Sequence, residues 1–228
     1  MTYATLLNLY RRHGRALLGI FPKTLYYAQT SGAHRQSGLE LMERKLDLLG
    51  AMGYLTPAAL TPKGEFGSWV YGYELLLTEL YTEGRLTSLD AVALAVLMAA
   101  IVYEPRPRAP QPKSHHLSKR LATLCQESLA RIHKEELRVR IRPKTKTPAY
   151  HLARAMEAWM THASFEQVRT LCDVDEGEIV RYFRMAVQLL RQLSETPAAD
   201  PALRETAAKA MRRINRDVID AEAQLRMG

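Results

Sequence analysis

Cysteine is scarce: the 228 residues hold two, Cys125 and Cys172, far apart and in neither a CxxC nor a Cys/His ligand spacing. A thiolate metal motif is therefore excluded, and a reducing cytoplasm is the expected compartment. The opening MTYATLLNLYRRHG lacks an apolar core followed by a small-residue cleavage site, so it does not read as a secretory signal. Long hydrophobic runs are missing too. The longest, Ala91 to Tyr103 between Asp90 and Glu104, falls short of the ~20 residues a bilayer requires, so a soluble protein with no membrane partner is expected. Catalytic signatures are absent as well: no GxxxxGK[ST], DExH-type box, GxSxG elbow, HExxH or EF-hand loop occurs, and no catalytic residue can be assigned.

What is present is ordinary globular material, 47% hydrophobic and 25% charged, in a chain long enough to bury its own core. The net charge of +8 is concentrated rather than spread. Residues 1–104 carry nine Lys/Arg and nine Asp/Glu, residues 105–148 carry twelve and three, and residues 149–228 carry eleven and twelve. A basic block of this kind suits a polyanion, because each phosphate it neutralises releases counterions. A solvated basic loop without a partner would carry the same charge.

Periodicity predicts a mainly α chain, a helical bundle preceded by a small winged-helix-like segment with a short two-stranded β-ribbon. Residues 1–66 form the winged-helix-like segment and 67–228 the bundle. Thr2 to His13 reads as a short helix. Leu39, Met42, Leu46 and Leu49 recur at helical spacing up to Gly50, and the pieces at Tyr54-Leu55 and Leu60-Thr61 flank a proline-bearing turn, the outline of the ribbon. Further helices are predicted over Tyr73 to Thr82, over Leu89 to Tyr103 with Ser88 as cap, from Ser114 to about Arg138, and over Tyr150 to Thr161. Pro105, Pro107, Pro110 and Pro112 make a stiff connector between the second and third of these. Ser164 with Gln167 is a capping-box pattern that starts a short helix ending near Cys172. Two long helices close the chain, one after Asp175 buried through Ile179, Phe183, Ala186, Leu190 and Leu193, the other through Leu203, Ala207, Met211, Ile214, Val218, Ala221 and Leu225.

Opposite the first of these stripes run Arg181, Arg184, Gln188 and Arg191, three guanidiniums and an amide on one side of a helix. A planar guanidinium can fork onto phosphate and stack on a base, although an exposed polar face of a bundle helix has the same pattern. The preceding CDVDEG turn gives a helix-turn-helix outline, but Asp173, Asp175, Glu176 and Glu178 would repel a duplex backbone docked there. Glu74 and Glu79 interrupt an apolar segment and need a partner, as a structural ion pair or as the lining of a nucleic-acid channel. His115 and His116, with His133 further along, invite a metal reading, yet no acid or thiol stands at a ligand spacing beside them, and no metal site is expected. Cys125 and Cys172 read as core thiols.

Three phrases in order, ELLLTELYTEGRLTSLDAVALAVLMAAIVYE, SFEQVRTLCDVDEGEIVRYFRMAVQLLRQL and AMRRINRDVIDAEAQL, resemble the DSH C-terminal (DSHCT) domain of superkiller-type and exosome-associated DExH helicases of superfamily 2. KLDLLGAMGYLTPAALTPKGEF is similar to the end of the winged helix before that bundle, and MTYATLLNLYRRHG to the stretch that follows the second motor domain. The stretch between Leu9 and Lys45 leaves no room for an arch insertion, which implies a compact, bacterial-like version. The resemblance implies an accessory domain that guides single-stranded RNA past an ATP-driven motor not contained in this sequence. ATP and Mg belong to that motor, with no cofactor in these residues; the motor domains are implied as partners, and an RNA-degrading nuclease as a further one. By position, Arg181 and Arg184 would face RNA, with Gln188 and Arg191 on the same stripe, Glu74 near the channel and Lys63 at the wing. Met185 stands where the family often has a second basic residue, so contact there would be apolar. Without the resemblance, a stand-alone winged-helix binder of duplex DNA and a protein-interaction bundle fit the same residues.

Overall fold

The computed structural model describes residues 1–23, 27, 32–108, 110, 112 and 114–220. They form two compact units, Met1–Thr82 with Ser128–Thr145, and Glu83–Glu127 with Lys146–Gly228. This partition differs from the expected 1–66 and 67–228, since a downstream segment rejoins the N-terminal unit.

In the first unit, helix α1 (Tyr3–His13) starts at Thr2, whose hydroxyl accepts from the Thr5 N–H at 3.1 Å. Its apolar side buries Ala4, Leu6, Leu7 and Tyr10. A short helix α2 (Leu17–Ile20) follows, then α3 (Gly32–Ala51), which buries Met42, Leu48 and Leu49. The ribbon expected next is corrected: among the described residues there are no strands, only one isolated antiparallel bridge between Leu55 and Leu60. The turn between them closes early, because the Thr56 N–H already donates to Ala59 O at 2.8 Å. Beyond the bridge, Thr61 caps a helix instead of continuing a strand, and Pro62 has no N–H for a ladder. That helix, α4 (Pro62–Gly67), lies so close to the turn that a Cβ on Gly64 would meet the Tyr54 carbonyl oxygen at 2.1 Å. Phe66 stacks on Tyr81, centroids 4.0 Å apart, where α4 packs on α5 (Glu74–Thr82).

In the second unit, α6 (Ala91–Val102) is apolar on nearly every side and almost wholly buried, as a central helix must be. Its cap is Asp90, which accepts from the Ala93 N–H at 2.8 Å, and not Ser88, whose hydroxyl donates to Arg85 O two residues too early. Helices α8 (Ala153–Met160), α10 (Glu176–Glu195) and α11 (Pro201–Ile214) all pack on α6. Helix α7 (His116–Arg138) contributes residues through Glu127 to this unit and those from Ser128 to the first. The short α9 (Phe165–Arg169) carries the complete capping box of Ser164 and Gln167.

The last long helix is also corrected. It stops at Ile214: Asn215 caps it, Arg216 is extended, Asp217 takes a left-handed φ of 52°, and Val218 lies in a 3-10 turn. Side-chain anchors enforce the stop. Arg216 donates to Trp159 O at 3.0 Å and Ala163 O at 2.8 Å, and its guanidinium lies 3.6 Å from the Trp159 ring centroid. Ala221 and Leu225 lie outside the described residues.

Candidate nucleic-acid interface

The arginine-bearing helix α10 is built by its buried side. Ile179, Phe183, Ala186, Leu190 and Leu193 face the core, joined by Tyr182, Val187 and Leu189. Glu176 and Glu178 in its first turn favour the positive end of the helix dipole. Three of the carboxylates around this start are paired: Arg106 with Asp175 at 2.5 Å and Glu178 at 3.3 Å, and Arg169 with Glu176. One end of the basic connector is thus held against α10 inside the same unit.

The four residues expected along the polar side do share it, but they do different work. Arg181 is open to solvent, its side chain 59% exposed, and its guanidinium sits over the Tyr182 ring at 4.5 Å while donating to the Tyr182 hydroxyl at 2.6 Å. Tyr182 meets Tyr103 edge-on at 4.8 Å, and Tyr103 meets His151 at 5.0 Å, so a row of flat groups backs the arginine. The guanidinium thus uses one face on the Tyr182 ring, with Nη2 on the Tyr182 hydroxyl and 4.0 Å from Glu178, and the rest of its planar edge is open to solvent. Arg184 turns the other way: it donates from Nε to Ile219 O at 3.0 Å and from Nη2 to Val218 O at 2.9 Å, fastening the C-terminal turn. Gln188 is exposed and Arg191 half-exposed further along the helix.

Lys63 and Glu74 belong to the first unit and serve its interior. The Lys63 ammonium lies 2.6 Å from Glu79, donates to Met52 O at 2.8 Å and sits 4.7 Å from the Tyr54 ring centroid. Glu74 is buried and accepts from the Ala4 N–H at 3.0 Å, which anchors the start of α1. Glu79 takes the structural ion-pair role, with Lys63, Arg131 at 3.3 Å and the Tyr54 hydroxyl at 2.9 Å around one buried carboxylate. Burial, and then the adjoining Glu79 charge, push the Tyr54 phenol well above its ordinary pKa, so it stays a donor.

Within the same unit, Lys134, Arg138, Arg140, Arg142 and Lys144 are all exposed along the end of α7 and the chain after it. The basic block of the sequence is therefore a surface here, although charge density alone picked out no single residue of it. Two further polar arrangements were not legible at all. Arg216, inside the phrase INRD, is a clamp on Trp159, as above; burial lowers its pKa, and Asp217 opposes the shift. Glu157, remote in sequence, stands beside His115 and His116, which corrects the expectation that no acid accompanies them. Among the described residues no helix is long and apolar enough to cross a membrane.

The second unit is thus a helical bundle with a centrally buried helix and an arginine-bearing helix packed on it, and the first unit carries an exposed basic segment. The family profile described as the DSHCT (NUC185) domain matches residues 58–222, and the chain belongs to that family. Among similar proteins are the human "Exosome RNA helicase MTR4", 29% identical over 160 residues, 65% of this chain and 15% of that protein. The "mRNA transport homolog 4" of Caenorhabditis elegans is 25% identical over 198 residues, 80% of this chain and 18% of that protein. The "ATP-dependent RNA helicase mtr4" of Schizosaccharomyces pombe is 25% identical over 161 residues, 65% of this chain and 14% of that protein. The chain thus matches less than a fifth of the length of these relatives.

Proposed function

We propose that this chain is the accessory region of an ATP-dependent, exosome-associated type of RNA helicase, and that it guides single-stranded RNA for a motor encoded outside these 228 residues. The observation that carries the reading is the DSHCT match over residues 58–222, together with the similarity to proteins named as RNA helicases. A feature of each unit supports it separately: in the second, Arg181 offers a planar cation backed by Tyr182 and Gln188 continues the same side; in the first, the exposed cations from Lys134 to Lys144 suit phosphate neutralisation. The motor domains of the parent, and a nuclease acting on the same RNA, are the partners of this reading, and the cytoplasm is its compartment. Arg181 is the RNA-facing residue of α10, while Arg184, bound to Val218 and Ile219, shapes the wall behind it.

The direct test is Arg181→Glu in a fluorescence anisotropy titration with single-stranded RNA. Binding should weaken about tenfold, equivalent to ~1.4 kcal/mol, and log K should depend less steeply on log salt by about 0.7 for each phosphate no longer neutralised. Unchanged affinity and slope would remove Arg181 from the interface. ATP hydrolysis by the 228 residues alone would contradict the accessory role.

A further inference from the structure

Two histidines and a glutamate meet at the start of α7, in a place that the RNA reading leaves without a task. His115 immediately precedes the helix and His116 is its first residue, while Glu157 projects from α8, and all three belong to the second unit. The Glu157 carboxylate lies 2.8 Å from His115 Nε2 through one oxygen and 3.4 Å from His116 Nε2 through the other. One nitrogen of each ring and one carboxylate oxygen all lie within 4.8 Å of one another. The two rings sit 4.4 Å apart at a tilt of 54°, so they converge on the carboxylate rather than stack.

We propose that His115, His116 and Glu157 form a binding site for a divalent transition-metal ion of the zinc type. A tetrahedral zinc takes imidazole nitrogens at ~2.0 Å and carboxylate oxygens at ~2.1 Å, which separates its ligands by about 3.3 Å. The two spacings, 2.8 Å from His115 Nε2 to one Glu157 oxygen and 3.4 Å from His116 Nε2 to the other, lie on either side of that value, so a shift of the carboxylate brings one oxygen to an ion shared with both rings. Two imidazoles and one carboxylate are a donor set for zinc, cobalt or nickel, whereas magnesium and calcium prefer oxygen alone.

Access and anchoring fit the proposal. The side chains of His115 and Glu157 are 13% and 28% exposed and that of His116 is 71%, so the cluster is walled on one side and open to solvent on the other. His115 Nδ1 is buried and meets no hydrogen-bond partner. The Nε2 nitrogen faces Glu157, so an ion bound there would take the place of the proton between them. Three protein ligands leave a fourth position on the open side for water. The ion would fasten the downstream end of the proline-rich basic connector, at residues 114–115, to α8.

The probes are Co2+ and Zn2+ added to the full 228-residue chain. Co2+ should bind one equivalent and give the visible absorption of a low-symmetry site; Zn2+ should displace it and Mg2+ should not. His116→Ala, at an exposed position that leaves the fold alone, should weaken Zn2+ binding about tenfold or more, as should Glu157→Gln. The chain has seven histidines, so adventitious binding is a real outcome. If the His115→Ala/His116→Ala double variant binds Co2+ and Zn2+ with unchanged stoichiometry and affinity, or if the wild-type chain binds neither ion, the site does not exist.

Discussion

At the scale of single residues, the molecule spends charge on holding itself together. Glu79 is the clearest case: one buried carboxylate serves Lys63, Arg131 and the Tyr54 hydroxyl. Glu79→Gln leaves the Lys63 ammonium facing a neutral amide in a part-buried place and should cost about 3 kcal/mol, the scale of breaking a buried pair. Urea unfolding followed by circular dichroism measures it. Adding Lys63→Met to that variant should restore stability, with a coupling well outside additivity. The two thiols make a second prediction. Burial pushes the pKa of both Cys125 and Cys172 up from an ordinary 9.0 to about 11. Both should react slowly with a disulfide reagent at pH 8 and promptly once the chain is unfolded. The stability tied to keeping these thiols protonated is full below the unfolded value of 9.0 and is lost as the pH rises towards about 11, since the unfolded chain releases its protons first.

At the scale of elements, local patterns were legible and long-range anchors were not. The Ser164–Gln167 capping box and the three-four apolar stripe of α10 are written in adjacent residues, and both are present. Ser88 and Asp90 carry the same kind of capping signal within one turn, and adjacent residues alone do not separate them. The early end of α11 has another origin. A stripe through Ile214, Val218 and Ala221 says nothing of Arg216 reaching back to Trp159, or of Arg184 taking the Val218 and Ile219 carbonyls, and those bonds win over helical propensity. The β-ribbon failed because Thr61-Pro62 starts a helix within one residue of the bridge. Arg184 and Arg181 can be told apart experimentally. Arg184→Ala abandons two backbone carbonyls and should destabilise the chain by about 1–3 kcal/mol, whereas Arg181→Ala at an exposed position should leave its stability within ~0.5 kcal/mol. Thermal melts of the two variants provide the comparison.

At the scale of the whole molecule, what the sequence offered was a family and a charge distribution. The ordered phrases from ELLLTELYTEG to the INRD turn all fall within residues 58–222, the span of the DSHCT match. The six residues singled out for nucleic acid are placed differently: Gln188 is exposed, Arg191 half-exposed and Arg181 exposed while leaning on Tyr182, whereas Arg184, Glu74 and Lys63 are tied to buried or backbone partners. Spacing identifies a helix face but not whether a side chain on it is already bound to distant backbone. The same limit hid Glu157, which only folding brings to His115 and His116. A guiding surface of this type is electrostatic and tolerant of sequence, because phosphates and flat bases are common to every single strand. The most direct measurement of that claim is fluorescence anisotropy of the 228-residue chain with a single-stranded RNA and a duplex DNA of matched length, each at two salt concentrations. The account predicts salt-sensitive binding that favours the single strand whatever its sequence; a clear preference for the duplex at both salt concentrations would contradict it.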